Sequence, residues 1–137
     1  IALNVPCATW RDAVRACGNL LVAAGDVEPP FIDSMIAVVE EMGPYMILLP
    51  EIAMFHGRPG PAVHRPCLSL ATLAAPVTFD EFEGQIIKCA FGFGAVDNVS
   101  HIDLLTGLAQ LLQNEEFVVL LRNNGAREDI LRILAGD

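Results

Sequence analysis

The sequence predicts a single α/β domain in which a mixed β-sheet is sandwiched by helices. The length of 137 residues suits one hydrophobic core and does not suggest two independent ones. Apolar residues recur with helical spacing at both ends of the chain, whereas the middle holds short continuous apolar runs typical of buried strands. Because strands lead directly into helices in the second half, we expect crossover connections and mixed strand directions.

Two helices are predicted before the first strand. Thr9 is expected to cap the first, with Asp12 completing a capping box, and Gly25 ends it. Its apolar stripe consists of Trp10, Ala13, Val14, Cys17, Leu20 and Leu21. Pro29 and Pro30 open the second helix, since proline suits a first helical turn, and Gly43-Pro44 stops it. The apolar stripe of this second helix consists of Ile32, Met35, Ile36 and Val39.

Three apolar runs predict strands in the middle of the chain. In order they are Tyr45–Leu49, expected to be buried, Cys67–Leu73 and Ile86–Phe93. Residues 50–66 contain four prolines and two glycines, which predicts a surface loop, and loops often carry functional residues. A short extended piece begins at Pro76, and the acidic residues Asp80, Glu81 and Glu83 mark an exposed turn. Gly92 and Gly94 would allow another segment to approach the last strand closely.

Three helices are predicted after the last strand. Ser100 is expected to cap the first, with Asp103 three residues later. Leucines form its buried face, namely Leu104, Leu105, Leu108, Leu111 and Leu112. A short helix around Glu115–Arg122 follows and is broken by the Asn-Asn-Gly sequence of residues 123–125. The last helix is expected over Arg127–Leu134.

Composition excludes several classes of function. The net charge of −9 argues against general nucleic-acid binding and against a polybasic membrane surface. No apolar run approaches the ~20 residues that cross a bilayer, and no signal-peptide pattern is present. The four cysteines form no Cys-x-x-Cys pair, which argues against a structural zinc site. They could form two disulfides, but Cys17 and Cys89 lie on apolar segments, so we expect reduced thiols and a cytoplasmic protein. The chain begins at Ile1 and not at Met, which leaves the completeness of its N-terminus open.

Two of the three histidines are candidates for phosphoryl chemistry. His56 precedes Gly57 and lies beside Arg58, and a neutral imidazole can accept a phosphoryl group whose oxygens a guanidinium binds. The alternative is an exposed loop histidine beside an unrelated arginine. His101 is expected at the first position of the helix capped by Ser100, where imidazolium is disfavoured and a neutral ring could donate to a phosphoryl group. The alternative for His101 is a purely structural place at the helix start.

The remaining candidate features point to no other chemistry. His64 is expected to be a solvated loop residue, and the three histidines allow a zinc-dependent hydrolase by count but carry no zinc spacing. We therefore expect no metal and no cofactor. Residues 92–94, Gly-Phe-Gly, are only a fragment of a dinucleotide-binding motif. The apolar residues just before His56 either form a contact patch for a protein partner or pack beneath the loop. They are Ile52, Met54 and Phe55.

Several segments together resemble the enzyme IIA (EIIA) domain of the bacterial phosphotransferase sugar-uptake system, in its mannitol/fructose class and most similar to the ascorbate-type branch. They are Thr9–Val14, Leu20–Val22 and Val27–Pro29, Met42–Tyr45, Pro50–Pro59, and Ala95–Asp97 leading to Ser100-His101. The similarity covers almost the whole chain, and residues 1–137 are expected to form one domain. It implies the mannitol-type IIA fold, although the family normally begins with further residues upstream of Ile1.

The resemblance also implies a phosphocarrier. In this family the phosphohistidine protein HPr passes a phosphoryl group to the histidine that corresponds to His56. This histidine then passes the group to a cysteine of a IIB component, which connects to the membrane transporter. His101 would stabilise the phosphoryl group and Arg58 would contact its oxygens. The sugar is set mainly by the membrane component, so ascorbate follows from the branch similarity alone.

The alternative function is an IIA-like regulatory or binding domain without efficient phosphotransfer. It is favoured by two positions where the chain departs from the family pattern: Phe55 stands where proline is usual, and Glu51 stands where glycine is usual. Proline would fix the backbone just before His56. Glu51 would repel an incoming anion if its side chain pointed into the site.

Overall fold

The computed structural model describes residues 1–42, 46–79 and 85–135 and confirms the predicted α/β sandwich. Its five strands form one mixed sheet in the order β1-β4-β5-β3-β2. The strands are β1 (Ala2–Val5), β2 (Ile47–Leu49), β3 (Glu51–His56), β4 (Cys67–Phe79) and β5 (Gln85–Gly94). The helices are α1 (Trp10–Ala23), α2 (Phe31–Met42), α3 (Asn98–Leu111), α4 (Glu115–Arg122) and α5 (Arg127–Leu134).

A separate hydrophobic core lies on each face of the sheet. Helices α1 and α2 supply the first core, and α3, α4 and α5 supply the second. Side chains of β3 alternate between the two, because successive residues of a strand point to opposite faces. Ala53 and Phe55 pack with α1 and α2, whereas Ile52 and Met54 pack with the second set of helices. His56, the next residue in this alternation, is therefore directed to the α3 side.

The pairing of β3 with β5 decides where the chain leaves the sheet. These two strands are parallel, and His56 is the register partner of Phe93. Their carboxyl ends therefore lie at the same edge, where β3 leads into the loop at Gly57 and β5 leads into α3. The other pairs are β1 with β4, which is parallel, and β4 with β5 and β2 with β3, which are antiparallel.

The structure confirms the predicted start of helix α1 and its buried stripe, except that Leu20 is only half-buried. Thr9 accepts a hydrogen bond from the backbone N–H of Asp12, and the capping box is complete. The close approach predicted at Gly92 is also confirmed, because a Cβ added there would lie 2.7 Å from Cys17 Cβ and 2.9 Å from Ser69 Oγ. Only glycine lets α1 settle this closely on β5 without a shift of its neighbours.

The surface loop predicted over residues 50–66 is wrong in its first part. Glu51 adopts a positive φ of 74°, so the chain turns sharply after Pro50 and re-enters the sheet as β3. Residues 52–55 are buried there. The preceding strand, predicted as buried over Tyr45–Leu49, is the short edge strand β2, in which Ile47 and Leu49 are half-buried; Tyr45 lies outside the described residues.

Other predicted elements differ in detail. Strand β1 is not predicted by any local pattern, and β4 continues through Pro76 with an irregular register between Thr72 and Val77. In α2 the buried stripe is rotated relative to the prediction, since Ile32 and Ile36 are only half-buried. The fully buried residues of α2 are Phe31, Met35, Val38 and Val39. The predicted helix stop at Gly43-Pro44 and the acidic turn at 80–83 lie outside the described residues.

Candidate functional site

His56 is the last residue of β3 and lies at the carboxyl-terminal end of this inner strand. Its imidazole stacks on the ring of Phe93, its register partner in β5, with centroids 4.8 Å apart and an interplanar angle of 20°. Phe93 is buried and forms the base on which the imidazole rests. The parallel pairing of β3 with β5 thus fixes the orientation of the His56 ring.

His101 meets His56 from helix α3. The two imidazoles contact edge to face, with centroids 5.0 Å apart and an interplanar angle of 76°. His101 also contacts Phe93, at a centroid distance of 5.1 Å. The structure therefore brings the two candidate histidines into one cluster of three rings.

The predicted cap of α3 is wrong, and this changes the backbone setting of His101. Asp97 is the N-cap and accepts a 2.8 Å hydrogen bond from the Ser100 backbone N–H, so Ser100 lies at the third helical position. His101 is the fourth residue of the helix, and its backbone N–H donates to the Asp97 carbonyl at 3.0 Å. Asp97 caps as well as serine would, and its backbone N–H is in turn bonded to Ser100 Oγ. His101 can therefore contribute only its ring to the site, because its backbone N–H is already bonded within the helix.

The environment of His56 keeps its imidazole neutral. Burial lowers the pKa of His56 from 6.5 to about 4, and the neighbouring His101 contributes in the same direction, while the backbone of Met54 partly opposes the shift. The Nδ1 atoms of both His56 and His101 are buried and have no hydrogen-bond partner. At neutral pH the ring is therefore an uncharged base, and its Nδ1 atom is closed to solvent.

A small pocket of about 160 Å³ joins these rings to Arg58. Its described lining consists of Val38, Glu41, Met42, His56, Gly57, Arg58, Pro59 and His101. The Arg58 guanidinium forms an ion pair with Glu41 of α2, and the Arg58 side chain is 69% exposed. The structure thus places all three predicted site residues around one opening, and it adds Glu41 and Phe93, which the sequence analysis did not select.

The loop after β3 is held against α2. A Cβ added to Gly57 would lie 2.6 Å from Phe31 Cε1 and 2.9 Å from Ser34 Oγ, so a larger residue does not fit. The backbone N–H of Arg58 donates to Ser34 Oγ at 3.2 Å. These contacts fix the base of Arg58 while its guanidinium stays at the solvent-exposed rim.

Glu51 and Phe55, the two departures from the family pattern, both point away from the pocket. Glu51 begins β3, and five residue steps separate it from His56, about 16 Å along an extended strand. Its carboxylate pairs with Lys88 Nζ at 2.7 Å and lies 3.8 Å from Arg122 Nε. Phe55 is fully buried in the core on the opposite face of the sheet. Neither side chain repels or blocks a group that enters the pocket.

The other candidate residues lie outside the pocket. His64 is exposed and pairs with Glu28 at 2.9 Å, and it does not line the pocket with His56. The contact patch suggested for Ile52, Met54 and Phe55 is wrong, because all three are buried. The four cysteines are free thiols. Within the described ranges no group of three or more His, Cys, Asp and Glu side chains is arranged to hold a metal ion.

Comparison with known proteins agrees with this geometry. Residues 1–136 match the family described as phosphoenolpyruvate-dependent sugar phosphotransferase system, EIIA 2. The chain belongs to this EIIA family. It is 33% identical to the ascorbate-specific EIIA component of Shigella boydii serotype 4, over 98% of this chain and 88% of that protein. It is 32% identical to the same component of Escherichia coli K12, with the same coverage.

Solved structures show that this EIIA has the mannitol IIA fold. The crystal structure of mannitol IIA from Escherichia coli superposes with a TM-score of 0.84 and 26% identity, over 97% of this chain and 94% of that one. The complex of Escherichia coli mannitol IIA with phosphorylated mannitol IIB superposes with a TM-score of 0.86 and 26% identity, over 99% of this chain and 94% of that one. As an EIIA component the chain is a phosphotransferase of sugar uptake. No helix in the described part of this EIIA is long and apolar enough to cross a membrane.

Proposed function

We propose that this EIIA carries its phosphoryl group on Nε2 of His56, receiving it from HPr and passing it to a cysteine of a IIB component. The observation that carries this proposal is a neutral imidazole at the rim of a pocket, with Nδ1 buried and a cationic side chain beside it. An uncharged ring has a lone pair to offer. Because Nδ1 is closed to solvent, Nε2 is the ring nitrogen that an incoming phosphoryl group can reach, and the tautomer protonated at Nδ1 has its lone pair there.

Each transfer exchanges one bond to phosphorus for another. In the first, the lone pair of His56 Nε2 forms a new N–P bond while the N–P bond of the donor phosphohistidine breaks. The electron pair of the broken bond returns to the donor imidazole. In the second, a cysteine thiolate of IIB attacks the same phosphorus, and the electron pair of the N–P bond returns to His56. No cofactor takes part in either step.

His101 and Arg58 are suited to stabilise the charge on the transferred group. The His101 ring lies edge to face with His56, so an N–H of this ring can donate to a phosphoryl oxygen next to Nε2. Arg58 lines the same pocket and can offer its planar guanidinium to the oxygens. Charge stabilisation of this kind, together with positioning, supplies most of the catalysis in phosphoryl transfer.

The relatives suggest the partners and the sugar. The mannitol IIA of Escherichia coli has been solved in complex with phosphorylated IIB, which supports a IIB partner for this chain. Two curated relatives are ascorbate-specific, so ascorbate uptake is the first pathway to test. We place both transfers in the cytoplasm, where phosphoenolpyruvate is available, with membrane association only through IIB.

The test is intact mass spectrometry after incubation with phosphoenolpyruvate, enzyme I and HPr. We expect one added, acid-labile phosphoryl group in the native chain and none in His56→Ala. His64→Ala is the matched variant, because it removes an exposed histidine that does not line the pocket. A His56→Ala protein that still gains a histidine-linked phosphoryl group would show that the acceptor lies elsewhere. No added group on the folded native chain would favour the regulatory alternative.

A further inference from the structure

We propose that Glu41 is the resting counter-ion of Arg58, and that the phosphoryl group on His56 displaces it. In the unphosphorylated protein the guanidinium is bound to a carboxylate at the mouth of the pocket. On phosphorylation the same guanidinium turns to the phosphoryl oxygens and leaves Glu41 to solvent. This inference rests on the proposed phosphotransfer at His56, and it adds a residue that tunes how firmly the phosphoryl group is held.

The charges around the pocket support this exchange. Among the described residues that line it, Glu41 is the only acid and Arg58 the only permanent cation. The pocket holds about 160 Å³, so an incoming phosphoryl dianion lies close to both. It attracts Arg58 and repels Glu41, and both effects favour transfer of the guanidinium from the carboxylate to the phosphoryl group.

The mobility needed for the exchange is confined to side chains. The backbone of Arg58 is tied to Ser34 Oγ, and Gly57 packs on Phe31. Arg58 and Glu41 have side-chain exposures of 69% and 58%, so water can solvate either group when the pair separates. Exposed ion pairs contribute little free energy, and this one can therefore be broken readily by a competing dianion.

The adjacent residue provides a matched comparison. Glu40 pairs with Arg11 at 3.3 Å and does not line the pocket. Glu40→Gln and Glu41→Gln therefore remove the same charge from neighbouring positions of α2, and each breaks one exposed ion pair. A difference between them isolates the place of Glu41 beside His56 from the general loss of a negative charge.

The test uses two donors that differ in their need for protein docking. The first is HPr phosphorylated by enzyme I. With this donor, the measured quantity is the ratio of phosphorylated EIIA to phosphorylated HPr at equilibrium. The second is phosphoramidate, whose N–P bond breaks with release of ammonia as the His56 N–P bond forms. After the donor is removed, the half-life of the phosphohistidine is followed by intact mass.

We expect Glu41→Gln to raise the equilibrium ratio of phosphorylated EIIA to phosphorylated HPr, and the phosphohistidine half-life, by roughly threefold to tenfold, because Arg58 becomes free and repulsion is removed. Glu40→Gln should match the native chain. Most of the gain should vanish when Glu41→Gln is combined with Arg58→Gln, since the effect acts through the guanidinium.

Three results would overturn the inference. Equal behaviour of Glu41→Gln and Glu40→Gln means that Glu41 does not hold Arg58 in competition with the phosphoryl group. The same gain in the Arg58→Gln background means that Glu41 acts only by direct repulsion. A native chain that neither donor phosphorylates overturns the proposed function as well, and this outcome is distinct from a phosphorylated native chain that Glu41→Gln does not change.

Discussion

The imidazole of His56 meets that of His101 edge to face, with the ring centroids 5.0 Å apart. Because His101 reaches the site through its ring alone, its contribution to transfer should be that of a single hydrogen-bond donor. We expect His101→Phe to keep the ring packing on Phe93 but to slow phosphoryl transfer from HPr by roughly a hundredfold to a thousandfold, as loss of one donor to a developing anion does. Rapid-quench measurement of a single turnover gives this rate.

The binding of HPr to His101→Phe, measured by titration, should stay close to that of the native chain. An unchanged transfer rate in this variant would limit His101 to a packing role. Complete loss of phosphorylation would instead make His101 essential for forming the N–P bond.

The lowered pKa of His56 predicts a stability that falls in mild acid. The unfolded chain takes up a proton at this residue near pH 6.5, whereas the folded chain resists it until about pH 4. The folded state therefore loses stability as the pH falls through this window. We expect this residue to account for a loss of about 1–2 kcal/mol between pH 7 and pH 5, after allowance for partial solvent access to the ring.

Urea unfolding of the native chain and of His56→Gln at both pH values measures this difference. The carboxylates titrate alike in the two proteins, so the comparison isolates His56. Parallel pH profiles for the two proteins would contradict the lowered pKa.

Glu51 should matter for stability and not for transfer. Its carboxylate lies in a partly buried network with Lys88 and Arg122, about 16 Å from His56 along the strand. We expect Glu51→Gln to lower the free energy of unfolding by about 1 kcal/mol while phosphorylation by HPr is unchanged. Denaturant unfolding and intact mass check the two halves of this expectation.

Glu51→Gly separates the charge of this residue from its backbone. Glycine adopts the positive φ of 74° without strain, so its gain in backbone energy should offset part of the lost ion pair. Slower phosphorylation of either variant would mean that the residue influences the pocket after all.

Replacement by alanine should lower the free energy of unfolding at Gly92 and raise it at Gly107. Gly92→Ala brings a Cβ to 2.7 Å from Cys17 Cβ, and we expect a loss of about 1–3 kcal/mol from overpacking. Gly107→Ala, in the middle of α3 with no atom within 4 Å of the new Cβ, should gain about 0.5–1 kcal/mol from helix propensity. Thermal unfolding of both variants tests the pair, and a stable Gly92→Ala protein would refute the tight contact of α1 with β5.

Much of the helical part of the fold could be predicted from the sequence, because local signals define it. The structure confirms α4 and α5 at their predicted bounds, and the cap of α4 is a local hydrogen bond from the Phe117 backbone N–H to the Asn114 side chain. Strand β1 was missed, since its four residues gain their pairing only from distant β4. Strand β3 is not predicted because the prolines and glycines of residues 50–66 indicate a loop, whereas the positive φ of Glu51 makes a turn after Pro50 that leads into the strand.

The candidate site could be predicted by residue but not by arrangement. His56, Arg58 and His101 were selected for their chemistry and for a family resemblance. Their convergence depends on the parallel register of β3 with β5 and on the start of α3 at Asp97, and neither follows from spacing. Phe93 and Glu41 carried no signal, because one lies in an apolar run and the other in an acidic pair at the end of a helix.

Because side chains alternate along β3, the register of this strand against β5 decides which face of the sheet His56 lies on. A slip of one residue against β5 would turn Phe55 toward α3 and direct the His56 imidazole into the core formed with α1 and α2, away from His101. Under the proposed function, a chain with this register error would carry no phosphoryl group on His56. Under the same proposal, phosphorylation of His56 would therefore report the native register of β3 more directly than a spectroscopic measure of helix content.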